Sequence, residues 1–308
     1  MRLSRVFAVV VSYHPDLQAL IELAKVLKEQ VEEVVVVDNG SLLPDAAKLV
    51  SGKCHLLRLH ENLGIATAQN FGIDYCLERG ADAIVFLDQD SLPGKDLISI
   101  LVAEFEKISA DENLAAVSPV YQDSRYGFYY PLVRMSSCGM IRKLAVSDGV
   151  ESIRVSCLIS SGSLISARAL RDVGFMRDDL FIDYVDTEWC LRARSAGYVL
   201  YAVPKARMFH SIGDKIIRLF VWRVPVHSPH RRYYRVRNAF ILLTFPHVPI
   251  LLALREVVQG IAHQLLLVAT QAGRRLEYLF KGFTAVKSGL RICIAEVLAR
   301  QNHRGRDN

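Results

Sequence analysis

The chain has 308 residues, 51% of them hydrophobic and 23% charged, which excludes a disordered chain and allows one large domain or two. Its net charge of +6 permits nucleic acid, anionic lipid or phosphorylated substrates as partners without choosing among them. No nucleic-acid recognition motif accompanies the basic residues, so nucleic acid is not expected as a partner.

The amino-terminal third alternates strand-like and helix-like runs. Residues 6–11 are apolar and β-rich, which predicts a first strand rather than a secretory signal. Further strands are predicted at residues 34–37, 55–59 and 84–87, and helices at 17–29, from Asp45, and at 62–77 with Asn62 as a cap. This alternation predicts a twisted parallel sheet with helices on both faces.

The apolar strand at residues 84–87 ends in Asp88-Gln89-Asp90-Ser91. Ligands of open α/β sheets lie outside the carboxyl ends of the strands, where Mg²⁺ commonly takes one or two carboxylates plus substrate phosphates. A solvated turn is equally rich in Asp and Ser. The pattern by itself therefore fits a metal–diphosphate site and a plain turn about equally.

In this part of the chain, polar residues also follow two further strands and stand at the start of one helix. They are Ser12-Tyr13, Asp38-Asn39 and Asn62-Leu63-Gly64. Asp38 is suited to accept hydrogen bonds from a base or ribose, as the acidic residue of dinucleotide folds does. Neither Gly-x-Gly-x-x-Gly nor a P-loop is present, so neither a Rossmann dehydrogenase nor a P-loop NTPase is indicated.

The middle of the chain continues with a helix predicted at 97–108 and a strand at 115–119. The aromatic stretch 121–131 favours a hairpin over an exposed binding loop. Residues 157–166 predict a strand interrupted by Ser160-Ser161-Gly162, and a glycine within a strand marks close approach of a ligand or another backbone.

Three acids, Asp183, Asp186 and Glu188, stand within six residues just ahead of a helical run at 189–196. Acids at a helix amino terminus are favoured by capping and by the helix dipole. Aromatic residues are interspersed among these acids, however, and apolar surroundings raise the pKa of a carboxylate towards that of a general base. We therefore favour catalysis over capping for this segment.

The carboxyl-terminal part is first basic and then apolar. Residues 205–237 hold nine Lys or Arg and one acid, typical of a solvated face or of binding to phosphate or an acidic membrane surface. The apolar stretches 239–254 and 257–270 fall short of the ~18 uninterrupted apolar residues of a spanning helix. Nearby basic residues favour helices lying on a membrane surface, with a buried helical subdomain as the alternative.

The six cysteines are scattered and include no Cys-x-x-Cys pair. This usage predicts reduced, mostly buried cysteines of a cytoplasmic protein rather than a disulfide framework or a zinc site.

Taken together, the ordered motifs resemble the inverting nucleotide-sugar glycosyltransferases of family 2. The similarity covers roughly residues 6–240 and is carried by Val-Val-Ser-Tyr-His-Pro, Val-Val-Asp-Asn-Gly-Ser, Glu-Asn-Leu-Gly-Ile-Ala-Thr-Ala-Gln-Asn-Phe-Gly, Phe-Leu-Asp-Gln-Asp-Ser and Phe-Ile-Asp-Tyr-Val-Asp-Thr-Glu-Trp. Together with Ser-Ser-Gly and Arg-Tyr-Tyr-x-x-Arg-Asn, they look like the bacterial rhamnosyltransferases of O-antigen assembly and rhamnolipid synthesis.

The resemblance implies a GT-A fold, that is, an α/β Rossmann-like mixed sheet flanked by helices. Residues 1–238 would form the catalytic domain, and residues 239–308 a helical, membrane-associating extension.

The resemblance also implies roles for individual residues. The nucleotide-sugar would contact Ser12, Tyr13, Asp38, Asn62, Gly64, Asn70, Asp88 and Gln89. Mg²⁺ or Mn²⁺ would be held by Asp90 with Asp88 and His210. The diphosphate or acceptor side would be formed by Ser161, Gly162, Arg231, Arg232 and Arg237.

Asp186 takes the position of the family's general base. The usual Glu-Asp pair reads Val185-Asp186 here, which leaves open whether Asp183 or Glu188 shares the work. The expected reaction moves L-rhamnose from dTDP-β-L-rhamnose to a lipid-linked saccharide, with the enzyme peripheral to the cytoplasmic face of a bacterial inner membrane. Alternatives are a mono-rhamnolipid acceptor, another nucleotide sugar, or a non-catalytic nucleotide-binding scaffold.

Overall fold

The structure is a computed structural model that describes residues 1–41, 43, 49, 52–123, 127–146, 151–210, 215–219 and 222–304. The side chains of residues 210, 215–219, 222–225 and 300–304 lie outside this description. The helix expected from Asp45 likewise falls outside the described residues.

Thirteen strands are assigned in the described residues. They are β1 Val6–Ser12, β2 Glu33–Asn39, β3 Cys54–Leu59, β4 Ala83–Asp88, β5 Leu92–Pro93, β6 Leu114–Asp123, β7 Leu132–Met135, β8 Ile141–Leu144, β9 Ile153–Val155, β10 Leu164–Ser166, β11 Val199–His210, β12 Lys215–Leu219 and β13 Trp222–Val226.

Eight α-helices accompany them within the same part of the chain. They are α1 Leu17–Lys28, α2 Ile65–Glu78, α3 Leu97–Ile108, α4 Ala167–Val173, α5 Val185–Ser195, α6 Pro229–Ile241, α7 Ile250–Thr270 and α8 Arg275–Arg304.

The strands predicted in the amino-terminal third are confirmed and lie side by side. β3, β2, β1 and β4 are neighbours in that order and run parallel. Val34, Val35, Val36 and Val37 of β2 are all fully buried, as expected of a strand covered on both faces. Helix α1 follows the predicted pattern as well, because the Asp16 side chain caps it by accepting from the amides of Gln18 and Ala19.

The other half of the sheet is mixed rather than parallel. β10 runs antiparallel to both β4 and β6, whereas β11 runs parallel to β6. The β-α-β alternation of the first half does not extend past β4, so the expectation of an all-parallel sheet is wrong there. The mixed sheet implied by the family resemblance is the one observed.

Three local expectations have different outcomes. The hairpin at 121–131 is confirmed, because Asp123 N–H donates to the Phe128 carbonyl at 2.9 Å and Gln122 bridges Tyr129 in antiparallel fashion. The strand expected at 157–166 is reduced to β10, with residues 160–163 in a turn. Helix α5 begins at Val185, earlier than the 189–196 run indicates.

The chain divides into two compact units. The sheet unit comprises Met1–Arg134, Ile141–Phe181 and Val185–Ser211, and the helical unit comprises Met135–Met140, Ile182–Tyr184 and Ile212–Asn308. Residue 238 lies inside α6, so no break in secondary structure marks the predicted domain boundary. The division into catalytic and membrane-associating domains stays a prediction.

Within the helical unit, α7 continues through Arg255 and Glu256, where the sequence indicated an interruption. The two apolar stretches were therefore wrongly separated. Among the described residues, α7 is long and apolar enough to cross a membrane. Length and composition alone are weak support for a span.

Candidate active site

The carboxyl ends of β1, β2 and β4 are aligned by the sheet register. Ser12 pairs with Asp38, and Val11 pairs with Asp88. Because parallel strands end at one edge, the polar residues predicted from three separate motifs meet there. Ser12 is buried, and its hydroxyl donates to the Val37 carbonyl at 3.4 Å.

Asp38 organises the loop that follows β2. Its side chain is 1% exposed, and its two carboxylate oxygens accept the amides of Ser41 at 2.9 Å and Leu43 at 3.1 Å. The Ser41 hydroxyl in turn accepts the amide of His14, just beyond β1, at 2.7 Å. The base-binding role of Asp38 stays a prediction, but its contribution to loop geometry is explicit.

Gln89 connects the ends of β4 and β1. Its amide oxygen accepts the Tyr13 N–H at 2.6 Å, and its amide nitrogen donates to the Tyr13 carbonyl at 3.2 Å. The Tyr13 ring remains 44% exposed at this edge, packed on His14 with ring centroids 4.3 Å apart. Because Gln89 fixes the backbone of Tyr13, its exposed ring provides a surface on which a planar base could stack.

Asn39, which was not among the predicted site residues, joins β2 to the loop before α2. Its amide nitrogen donates to Asn62 Oδ1 at 3.1 Å, and its oxygen accepts the Leu63 amide at 2.9 Å. The next residue, Gly40, has φ +87 and passes so close to Glu61 that a Cβ would lie 2.4 Å from its carbonyl carbon. The Asn-Gly pair at the end of the second strand is the sequence feature from which this contact could have been predicted.

Gly64 brings the start of α2 against Phe181. A Cβ at Gly64, where φ is +89, would lie 2.6 Å from the Phe181 carbonyl oxygen. That oxygen accepts the Ile65 amide at 2.7 Å and the Ala66 amide at 3.4 Å. Gly64 is thus required by a close approach of protein backbone, and Asn62 assists by accepting the Gly64 amide at 3.0 Å.

Asn70 holds the segment that leads towards the acidic motif. Its amide nitrogen donates to the Met176 carbonyl at 2.9 Å and to Asp178 at 2.6 Å. Its oxygen accepts the Met176 amide at 3.0 Å. Asn70 thereby fixes residues 176–178, and its predicted contact with the nucleotide stays untested.

The turn after β4 is held by buried serines. The Asp88 amide donates to Ser91 Oγ at 3.0 Å and to Ser161 Oγ at 3.1 Å, and the two hydroxyls are 2.8 Å apart. Both serines are 2% exposed, whereas Asp90 is exposed. Ser161 therefore supports the turn that presents Asp88 and Asp90.

Gly162 follows Ser161 in the chain and packs against residues of the neighbouring strands. Its φ is +83, and a Cβ would lie 2.9 Å from Pro119 Cγ and 3.1 Å from Met208 Cε. The groups that approach Gly162 closely are protein side chains, whereas the sequence predicted a ligand or another backbone.

The donor set at the β4 turn suits a hard cation. Asp88 and Asp90 offer carboxylate oxygens, which Mg²⁺ and Mn²⁺ accept together with substrate phosphates. The described residues contain no group of three or more His, Cys, Asp or Glu that could hold a metal ion. His210, the third expected ligand, ends β11, and its side chain lies outside the described part of the chain.

Asp186 lies in the first turn of α5, half-buried, and its Oδ1 accepts the Thr187 amide at 2.7 Å. It lines a small cavity together with Leu158, Met176 and Trp189. Burial raises the pKa of Cys190 to about 12, and the negative charge of Asp186 adds to that increase. Asp186 thus lies beside apolar side chains, with Ser160 and Ser163 in the same lining, and its role as general base stays a prediction.

Tyr121 connects the two acidic regions electrostatically. Its hydroxyl is fully buried and donates to the Ser161 carbonyl at 2.6 Å. Burial raises the pKa of Tyr121 most strongly, and the charges of Asp88 and Asp186 raise it further. The charges of Asp88, at the β4 turn, and of Asp186, at the start of α5, thus both act on this hydroxyl.

Glu188 has a structural role. Its side chain is fully buried and forms a bidentate ion pair with Arg192, at 2.8 Å and 3.0 Å. Arg192 also donates to the carbonyls of Val173 and Phe175. The pair therefore fastens α5 to the end of α4, which weighs against Glu188 as a second base.

Asp183 belongs to the helical unit and is held by α6. Arg231 donates to its two carboxylate oxygens at 3.3 Å and 3.2 Å, and Arg235 lies 3.6 Å away. Asp183 has φ 63. The Asn238 amide nitrogen donates to the Ile182 carbonyl at 2.8 Å. These contacts make Asp183 an anchor of residues 182–184.

The three arginines predicted on the diphosphate or acceptor side point to different partners. Arg231 binds Asp183, as described. Arg232 is 1% exposed and donates to Gln264 at 3.0 Å and to the Gly260 carbonyl at 2.8 Å. Burial lowers the pKa of the Arg232 guanidinium to about 10. Arg237 donates to Asn238 Oδ1 at 2.7 Å. Arg232 is thus a core residue of the helical unit rather than a ligand-facing one.

Comparison with known proteins gives a consistent result. Residues 8–174 match the model of the family described as Glycosyl transferase family 2. The chain is 43% identical over 289 residues to the dTDP-rhamnosyl transferase RfbF of Shigella flexneri, covering 94% of this chain and 96% of that protein.

Solved structures share the fold at low sequence identity. GalNAc-T7 with UDP, GalNAc and Mn²⁺ superposes with a TM-score of 0.56 at 15% identity, over 80% of this chain and 52% of that one. The S. aureus TarS fragment 1–349 in complex with UDP-GlcNAc gives a TM-score of 0.55 at 12% identity, over 92% and 81% of the two chains. The predicted GT-A fold is confirmed.

Proposed function

Because this chain belongs to glycosyl transferase family 2 and is a rhamnosyltransferase of that family, we propose that it moves L-rhamnose from dTDP-β-L-rhamnose to a hydroxyl of a lipid-linked saccharide. The observation that carries the donor is the 43% identity to a dTDP-rhamnosyl transferase across 94% of the chain. Agreement over this length supports the same donor class.

Asp186 is the general base in this proposal. It lies in the first turn of α5 and lines the small cavity beside Cys190 and Trp189, where a carboxylate can serve as a proton acceptor. It removes the proton of the acceptor hydroxyl as that oxygen forms a bond to the anomeric carbon. The bond from this carbon to the nucleoside diphosphate breaks on the opposite face. This single displacement inverts the anomeric centre without a covalent enzyme intermediate.

Asp88 and Asp90, with His210, are the residues that would hold Mg²⁺ or Mn²⁺. When bound, such an ion supplies charge stabilisation for the departing nucleoside diphosphate. The serine-supported turn after β4 keeps the two carboxylates at the edge where Tyr13 and Gln89 would receive the nucleotide.

The carboxyl-terminal region is the basis for the proposed acceptor and location. Its apolar helices with basic residues support a lipid-linked acceptor and a peripheral position on the cytoplasmic face of a bacterial inner membrane. O-antigen or another polysaccharide is the corresponding product class.

A panel of nucleotide sugars tests the donor. We expect release of nucleoside diphosphate from dTDP-rhamnose in preference to UDP- and GDP-sugars, and dependence of that release on Mg²⁺ or Mn²⁺. Preference for another sugar would replace the donor assignment, and absence of any release would favour a non-catalytic scaffold. Adding a lipid-linked saccharide or a mono-rhamnolipid then distinguishes the two acceptor classes.

Asp186→Asn tests the base. The variant should fold and bind the donor normally, and its kcat should fall by about 10²–10⁴ because amide oxygen is a very weak proton acceptor. Asp111→Asn, at an exposed turn after α3, is the matched control and should keep full activity. A folded Asp186→Asn protein with unchanged kcat would remove Asp186 from this role.

A further inference from the structure

Helix α8 has two faces of different character. One face packs within the helical unit, where Tyr278 and Ala285 are buried. On the same side, a Cβ at Gly282 would lie 2.8 Å from Gln264 Cγ, and one at Gly289 would lie 2.7 Å from Phe240 Cβ. This side of α8 is therefore in close contact with α6 and α7.

The opposite face is apolar and exposed. Its large side chains form two groups, at 276–283 and at 290–298, and are between 46% and 80% exposed; they are Leu276, Leu279, Phe280, Phe283, Leu290, Ile294, Val297 and Leu298. At about 100° per residue, they fall within one stripe about 100° wide along the helix. We refer to these eight residues as the α8 stripe.

Basic residues accompany the α8 stripe, and acids do not. Lys287 and Arg291 follow Phe283 by four and eight residues, which places them along the same side of the helix. The described acids of α8, Glu277 and Glu296, lie about 100° and 200° around the helix from Leu276. The face is thus both apolar and positive.

Such a face requires a partner. Single exposed apolar residues are common on soluble proteins, but eight large ones on one side of a 30-residue helix, in two groups separated by the turn that carries Lys287, are not. Long basic side chains beside an apolar row match a lipid surface, because their stems lie along the acyl boundary while their charges reach headgroup phosphates.

We propose that the α8 stripe docks in the plane of a membrane that contains anionic lipid, with Phe280 and Phe283 inserted and Lys287 and Arg291 at the headgroups. This deepens the membrane part of the proposed function and rests on it only for the cellular setting. Vesicle binding requires no sugar transfer, so a wrong donor or base leaves this inference unaffected.

Two other occupants fit the charges less well. A second copy of α8 across the stripe would bring Lys287 and Arg291 of each chain into a shared apolar contact without an acid on the same face, and like charges there repel. A membrane-spanning α8 would place those two charges in the hydrocarbon core, where each is costly.

The experiment is co-sedimentation of the full chain with vesicles of phosphatidylcholine, with or without phosphatidylglycerol. We expect strong binding only with phosphatidylglycerol, and a loss of binding as salt rises. Phe283→Glu should lower the vesicle partition coefficient by about tenfold or more, since it replaces inserted apolar area by an anion.

Matched controls keep the result interpretable. Phe71→Glu changes a 46% exposed phenylalanine of α2, and Lys25→Glu changes an exposed lysine of α1. Both should leave vesicle binding unchanged, whereas Lys287→Glu with Arg291→Glu should remove the preference for phosphatidylglycerol. Circular dichroism and donor turnover in detergent should be unchanged in all variants, because these side chains lie on the surface.

Three results would overturn the proposal. The first is equal loss of binding in the α2 and α8 phenylalanine variants. The second is binding that persists in Phe283→Glu and resists alkaline carbonate extraction, which would point to α7 as a membrane span. The third is concentration-dependent dimerisation abolished by Phe283→Glu without any vesicle binding, which would assign the stripe to a second copy of the chain.

Discussion

The two units differ in what they hide and what they expose. The sheet unit buries polar groups, among them Asp38 at 1%, Asn39 at 3% and Glu188 at 0% exposure. The helical unit also buries polar groups, such as Arg232 at 1% and Asn238 at 0%, but it exposes a row of large apolar groups as well, such as Leu276 at 80% and Phe283 at 69%. Each pattern runs against the general preference of polar residues for water and apolar residues for the core.

The physical costs behind the two patterns differ. A buried polar group is tolerated only when its hydrogen bonds are satisfied, so the sheet unit is rigid at its polar edge. An exposed apolar face costs nothing within the fold but remains available to another surface. Substitutions of buried polar groups should therefore affect stability, whereas substitutions on the exposed apolar face should affect association.

The largest effect is expected at Glu188. Glu188→Ala leaves the Arg192 guanidinium, 21% exposed, without its bidentate partner, and should lower the free energy of unfolding by about 3–5 kcal/mol. Chemical denaturation measures this. Asp179→Ala, which breaks a pair exposed by 43% and 47%, should cost less than about 1 kcal/mol. A stable Glu188→Gln protein with greatly reduced kcat would instead favour a catalytic Glu188.

Gly64→Ala should have the next largest effect. The added Cβ meets Phe181 at 2.6 Å in a backbone with φ +89, so we expect a loss of about 2–4 kcal/mol in the free energy of unfolding. Gly127→Ala isolates the backbone contribution, because φ is +70 there and nothing lies within 4 Å of the new Cβ. Equal losses in the two variants would mean that the Phe181 contact yields at little cost.

A smaller effect is expected in the helical unit at Asp183. Asp183→Asn retains a residue that tolerates φ 63 but removes the charge that Arg231 and Arg235 bind. These arginines are 44% and 38% exposed and regain water, so the loss should be about 1–2 kcal/mol. A tenfold fall in kcat at unchanged KM and stability would show that Asp183 shares the proton transfer.

The smallest effect is expected on the α8 stripe. Phe280→Ser, at 64% exposure in the free protein, should change the free energy of unfolding by less than about 0.5 kcal/mol. Thermal denaturation in solution checks this, with Phe105→Ser of the fully buried core as the contrasting variant. A cost above about 2 kcal/mol for Phe280→Ser would mean that the stripe is packed rather than free.

Local sequence patterns predicted much of the fold. The valine-rich strands β1 and β2, the spacing of α1 and the acidic turn after β4 were all evident, because each depends on neighbours within a few residues. The direction of β10 was not evident, since three residues carry no sign of the strand they pair with. The identity of the family came from the order of several weak motifs rather than from any one of them.

Distant partners explain what the sequence could not supply. Glu256 was taken as part of a break, yet α7 continues through it, and its carboxylate accepts the Tyr184 hydroxyl at 2.8 Å and lies 3.6 Å from Arg235. Arg231 and Arg232 are adjacent in sequence and were grouped by composition. The helical rotation of about 100° per residue sends one to Asp183 and the other into the core.

The loop that contacts Gly64 has a further electrostatic consequence. A helix amino terminus at a sheet edge is a ready anion site, because its first amides point outwards and its dipole is positive there. At α2, the amides of residues 63 to 66 are already bonded to Asn39, to Asn62 and to the Phe181 carbonyl. These amides are occupied by the protein's own oxygens, so under the proposed function the charge of a diphosphate would be balanced by side chains and by the cation that they would hold.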